Sequence, residues 1–151
     1  MATVELATVR DALTGLVPFI GVLSPDFLEY EEGRALLRQP DRAELHNHVG
    51  GPHAGVLFTL AETASGAVLL GAFMDQLAAA TPLAVGAEIR YLKLARGDIE
   101  AEAVLGRPAE DVRAELAEGG RPEFDITVAM RRADGETVAE MTVRWTLRPN
   151  G

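Results

Sequence analysis

The second half of the chain alternates. In Val85–Leu94, Ala87, Ile89 and Tyr91 interleave with Glu88 and Arg90, and in Asp98–Leu105, Ile99, Ala101, Ala103 and Leu105 oppose Asp98, Glu100 and Glu102. Glu123–Arg131 repeats the pattern with Phe124, Ile126, Val128 and Met130, and the last segment does so with Ala139, Met141, Val143, Trp145 and Leu147. A period of two places every second side chain on one face, so these segments read as four strands, each apolar on one side. Asp134-Gly135 is a hairpin turn between the last two. Pro108–Glu118 reads as a short helix leaving the sheet: Pro108 suits a first turn, Val112 and Leu116 are four apart, and Gly119 suits the position past the end.

The first half is less regular. Residues 3–16 read as a short helix carrying Val9, Leu13 and Leu16, ending near Gly15 or Pro18. Phe19–Leu23, Phe27–Glu31 and Arg34–Arg38 are strand-like pieces separated by Ser24-Pro25 and Glu32-Gly33. A polar loop, Pro40–Pro52, leads to a helix starting near His53 to Gly55, whose run VLFTLAETASGAVLLGAFM is apolar on nearly every side and so must be buried on nearly every side. Gln76–Pro82 closes it. Gly66, Gly71 and several alanines thin this helix so that sheet backbone can approach. One-sided strands need an apolar cover, and this helix is the available one. The expectation is a single α+β domain over residues 1–151, an antiparallel sheet wrapped around a long central helix.

Composition narrows the function. At 48% hydrophobic residues the chain can build a real core. Residues 55–74 are long enough to cross a bilayer, but Glu62 near the middle, the two threonines, Ser65 and the amphipathic strands favour a core helix over a membrane span. With 23 acidic residues against 14 basic ones, a broad nucleic-acid surface is not expected. The absence of cysteine excludes disulfides, thiol nucleophiles and thiolate metal sites, and no basic-then-apolar leader is visible, so a cytoplasmic protein is expected. His46, His48 and His53 lack a carboxylate at ligand spacing, and no metal is expected; the His46-Asn47-His48 triplet is set aside as coincidence.

The stretch NHVGGPHAGVLFTLAETASG, Asn47–Gly66, concentrates the chemistry. The turn His53-Ala54-Gly55 puts unpaired N–H groups at a helix start, where a carbonyl or anion can bind. Glu62 is the one carboxylate of the apolar helix, and desolvation there raises a carboxylate's pKa toward that of a useful base. Gly55 and Glu62, seven residues apart, share a helix face but are separated by roughly 10 Å along the axis. One chain therefore cannot apply both to one carbonyl, whereas two antiparallel helices across a two-fold axis could, which predicts a homodimer with two equivalent interface sites.

Asn47, His53 six residues later, Gly55, and Glu62 nine residues after His53 together resemble the phenylacetate-pathway type of hotdog-fold acyl-CoA thioesterases. PFIGV, EEGRALLRQP and VAEMTVRWTLRP resemble the same family's first strands and last strand, so the likeness covers most of the chain. It implies that Glu62 activates the attacking water or attacks directly. It implies that the N–H of Gly55, or its neighbour, polarises the thioester carbonyl, and that Asn47 and His53 position groups nearby. Ala54, Val56 and Ser65 would line the substrate, an acyl thioester whose coenzyme A needs no further cofactor. Arg90 and Lys93, with Arg96, Arg131 and Arg132, are candidates for its phosphates, the alternative being solvated strand-edge charges. The resemblance also implies a dimer or tetramer.

Two positions depart from the family pattern. The middle glycine of the turn is Ala54, and a strand serine or threonine is replaced by Ala84, leaving Ser65 or Thr63 to supply a hydroxyl. A hotdog hydratase or dehydratase and a non-catalytic acyl-CoA-binding module are the alternative functions. Asn47 could instead simply hold the loop, and Glu62 could be a structural carboxylate.

Overall fold

Six antiparallel strands curve around one long helix in the computed structural model, which describes residues 4–151. In chain order the elements are α1 (Leu6–Leu16), α2 (Ile20–Leu23), β1 (Asp26–Glu31), β2 (Arg34–Gln39), α3 (Ala54–Phe73), β3 (Ala80–Tyr91), β4 (Ile99–Leu105), α4 (Ala109–Ala117), β5 (Glu123–Arg132) and β6 (Thr137–Pro149). The strands are ordered β1-β2-β4-β5-β6-β3. This is the hotdog fold, with α3 as the filling.

The alternating residues face α3 as the pattern requires. Ile99, Ala101 and Ala103 of β4, Phe124, Ile126, Val128 and Met130 of β5, and Ala139, Met141, Val143, Trp145 and Leu147 of β6 are all buried. From Leu60 onward every residue of α3 but Glu62 is buried as well. Arg113 of α4 completes the far end, donating to the Ala72 carbonyl and to Asp75 (2.7 Å), so that a cation sits where the helix dipole is negative.

Three expectations change. Phe19–Leu23 is not strand-like: Pro18 fixes a helical φ and the segment becomes the turn α2, closed by Ser24 in a left-handed conformation (φ 47°) whose N–H reaches the Ile20 carbonyl at 2.8 Å. β3 begins at Ala80, five residues before Val85, and tolerates Pro82 because it is an edge strand. Gly66 meets α1 rather than the sheet, since the nearest atoms to a Cβ there would be the Leu13 methyls. Gly71 does serve close approach, but to a side chain, the ring of Tyr30 lying where its Cβ would be. The predicted start of the first helix at residue 3 lies outside the described residues.

β3 stands apart. A bulge at Val85, between Ala84 opposite Trp145 and Gly86 opposite Arg144, re-phases the strand. Beyond it, Ala87, Ile89 and Tyr91 lie on the α3 side yet stay exposed or half-buried, because α3 packs over the other strands. The inner face of this edge strand is therefore apolar and uncovered.

Candidate active site

Asn47 shapes the turn that delivers α3. Its Oδ1 accepts the N–H groups of Val49 (3.0 Å) and Gly51 (3.3 Å), and its backbone N–H donates to the Gly51 carbonyl at 2.7 Å. Side-chain bonds of this kind stabilise a turn in place of backbone partners, so Asn47 acts by positioning. Gly51 is required because a Cβ would overlap the Ala95 carbonyl oxygen. The connection after β3 thus presses against the turn, and the Tyr91 hydroxyl donates to the Ala54 carbonyl at 3.1 Å.

His53 is the N-cap of α3, with extended backbone and an Nδ1 that accepts the Gly55 N–H at 2.8 Å. Its carbonyl accepts from Val56 (2.9 Å) and Leu57 (3.2 Å). Of the expected donors, Gly55 or its neighbour, Gly55 is therefore engaged within the chain, and so is Val56 on its far side. Among the described residues the N–H of Ala54 has no such partner, which leaves the neighbour on the upstream side as the free donor. Alanine fits there because it is the first helical residue and not one of the positive-φ positions.

Glu62 is half-buried, and its carboxylate makes no hydrogen bond or ion pair among the described residues. Burial pushes its pKa above the ordinary glutamate value of 4.5. Thr59 shares the face of Gly55 and Glu62 and places a hydroxyl between them, donating to the Gly55 carbonyl at 2.9 Å while its lone pairs stay free to accept. Its spacing of four from Gly55 and three from Glu62 is the sequence signal that puts Thr59 on this face. Ala54 and Glu62 are roughly 12 Å apart along the axis at 1.5 Å per residue.

Other expected residues are not brought to this face. Ser65 is fully buried, its hydroxyl donating to the Glu62 carbonyl (2.7 Å) and accepting the Trp145 indole N–H (3.0 Å), so it is a structural link and not a substrate contact. Thr63 is buried too. Ala84 sits opposite Trp145 and offers no hydroxyl. Arg90 belongs to the outer face of β3, on the other side from Tyr91, and Lys93 is held by Glu136 at 2.7 Å. His46 pairs with Asp41 at 2.7 Å, and no cluster of three His, Asp or Glu side chains is assembled among the described residues.

The family model described as a domain of unknown function, DUF4442, matches residues 7–147. A Halobacterium salinarum protein with the provisional name of esterase is 30% identical over 137 residues, covering 89% of this chain and 83% of that protein. A crystal structure of a Pseudomonas aeruginosa protein of unknown function, described as a probable thioesterase, is 30% identical with a TM-score of 0.84, covering 99% of this chain and 100% of the other. The PaaI protein of the E. coli phenylacetic acid degradation operon (17% identity, TM-score 0.73, 97% and 94% covered) has the same fold. So does zebrafish thioesterase superfamily member 2 (22%, 0.76, 95% and 99%).

Proposed function

This chain belongs to the DUF4442 family, and from that premise we propose that it is a thioesterase, hydrolysing an acyl-CoA or related acyl thioester at two equivalent sites of a homodimer. The thioesterase and esterase names of its relatives support the reaction class. The observation that carries the reading is Glu62: a carboxylate with no partner among the described residues, on the open face of an otherwise apolar helix whose first N–H, that of Ala54, is likewise without one.

The roles follow from charge. A thioester carbonyl gains negative charge on oxygen as water attacks, and a preorganised N–H aimed at that oxygen lowers the barrier by a few kcal/mol. Ala54 supplies that N–H. Glu62 of the other subunit takes the proton from the attacking water, the new C–O bond forms, the C–S bond breaks, and the departing thiolate receives the proton. Thr59 lies where it can hold the water by accepting a hydrogen bond. His53 and Asn47 keep the turn in shape.

Two copies are needed because Ala54 and Glu62 of one chain are too far apart to share one carbonyl. The uncovered apolar inner face of β3, with Tyr91 and, just beyond the strand, Leu92 exposed, is the kind of edge that a second copy would bury. Incubation of the protein with acyl-CoAs of graded chain length and aromaticity, with free thiol monitored, tests the reading. Turnover that disappears in Glu62→Gln while the dimer persists supports it; no thiol release from any thioester refutes it. Ala84 gives a non-catalytic acyl-binding module one specific argument, the missing strand hydroxyl, and saturable binding without product would establish that alternative.

A further inference from the structure

We propose that Leu13 of α1 forms the end wall of the acyl-binding site and sets the length of acyl group the protein accepts, a reading that rests on the thioester site above. Gly55, Thr59, Glu62 and Gly66 follow one another at helical spacings of four, three and four, so they form a single stripe along α3. The stripe is open at its first three positions and closed at the fourth. There the Leu13 methyls lie 3.7 and 3.9 Å from where a Cβ on Gly66 would be. Leu13 is held by burial, and one turn earlier the fully buried Val9 anchors α1 to the core.

The two directions away from Glu62 differ in chemistry. Toward the start of α3 lie the Ala54 amide, without a partner among the described residues, and the Tyr91 hydroxyl on the Ala54 carbonyl. The exposed Arg96 is there too, next to the Ala95 whose carbonyl abuts Gly51, so this end is open and carries polar groups. Toward Gly66 lies an apolar, closed end, with Leu16 exposed three residues beyond Leu13 on the same helix. A thioester also has two unlike arms. With the carbonyl held between Glu62 and the partner subunit's free amide, the polar thiol arm fits the open end and the hydrocarbon arm fits the closed one. Glu62 and Gly66 are about 6 Å apart along α3, which suits a short to medium acyl chain.

Two substitutions move the wall in opposite directions. Leu13→Ala removes the methyls and deepens the site. Gly66→Ala fills it, and its new Cβ meets Leu13 only at ordinary contact distance, while alanine favours a helix. For each variant, kcat/KM is measured over saturated acyl-CoAs from acetyl to dodecanoyl, and affinity over the matching S-alkyl-CoA thioethers, which cannot be hydrolysed. Leu13→Ala is expected to raise the long-to-short preference by ~10-fold, and Gly66→Ala to lower it by a similar factor. If both variants fold as the parent does and retain its chain-length profile, Leu13 is not the wall. If no thioester is hydrolysed by the parent, the proposed reaction fails by itself. The thioether profile then decides: a shift between variants upholds the wall, and an unchanged profile or no binding overturns it.

Discussion

The imidazole of His53 holds the N–H of Gly55 at 2.8 Å, and by doing so leaves Ala54 with the free amide of the α3 start. The donor can be deleted without touching a side chain. Proline is favoured at the first helical position, and His53, at φ −61° and ψ 147°, already has the extended backbone that a following proline demands. Ala54→Pro should therefore fold normally and lose thioesterase kcat by ~10²–10³-fold, the usual effect of removing one oxyanion donor. Steady-state kinetics beside circular dichroism checks this; undiminished kcat would return the donor role to another group.

Complementation between subunits follows from the 12 Å problem. Ala54→Pro and Glu62→Gln homodimers should each be nearly inactive. After equal mixing and subunit exchange, half the dimers are mixed, and each carries one intact site beside one with both lesions. Activity should recover to about a quarter of the parent level. A site contained in one chain would show no recovery.

Glu62→Gln should reduce kcat/KM by ~10²–10⁴-fold, the range typical of a lost general base. In the parent enzyme kcat/KM should fall on acidification with a midpoint above the ordinary glutamate value of 4.5, because burial disfavours the carboxylate. The stability effect has the opposite sense to that of a salt-bridged acid. With its folded pKa raised, Glu62 binds its proton more tightly in the native state, so stability declines as pH rises from the unfolded to the folded pKa. Glu62→Gln removes that cost, and its melting temperature should exceed the parent's at neutral pH, the gap closing in acid. A variant no more stable at neutral pH would show that a partner compensates the charge.

Ser65→Ala separates structure from chemistry. It strands the buried Trp145 indole N–H, which should cost about 1–3 kcal/mol of stability by denaturant titration. Turnover per folded dimer should stay within a few-fold of the parent. A large loss of kcat with unchanged stability would restore Ser65 to the substrate site.

Gly71→Ala should cost about 1–3 kcal/mol, because the Tyr30 ring occupies the space of the new methyl. In a Tyr30→Leu background the same change should cost much less, since the shorter side chain leaves room. Equal costs in both backgrounds would locate the strain elsewhere.

Local pattern made most of the fold legible. Period-two alternation marked the four later strands, Asp134-Gly135 marked the hairpin that Gly135 closes at φ 87°, and the length and uniform apolarity of the Ala54–Phe73 run marked the central helix. Glu62 stood out as the one acid in that run. Phe19–Leu23 was misleading because a four-residue apolar piece has too little length to distinguish a strand from a helical turn.

What the sequence determined by itself was therefore whatever depends on near neighbours along the chain: the periods, the turns, the helix start near His53 and the spacing between that start and the acid. Tertiary structure decided what depends on groups far apart in sequence. It placed Trp145 against Ser65, eighty residues away, and so removed Ser65 from the site. It brought Tyr91 to Ala54 and Leu13 to Gly66, and it left the inner face of β3 uncovered. Such contacts are set by how the sheet curves around α3 and where the edge strand falls, and no local spacing encodes that curvature.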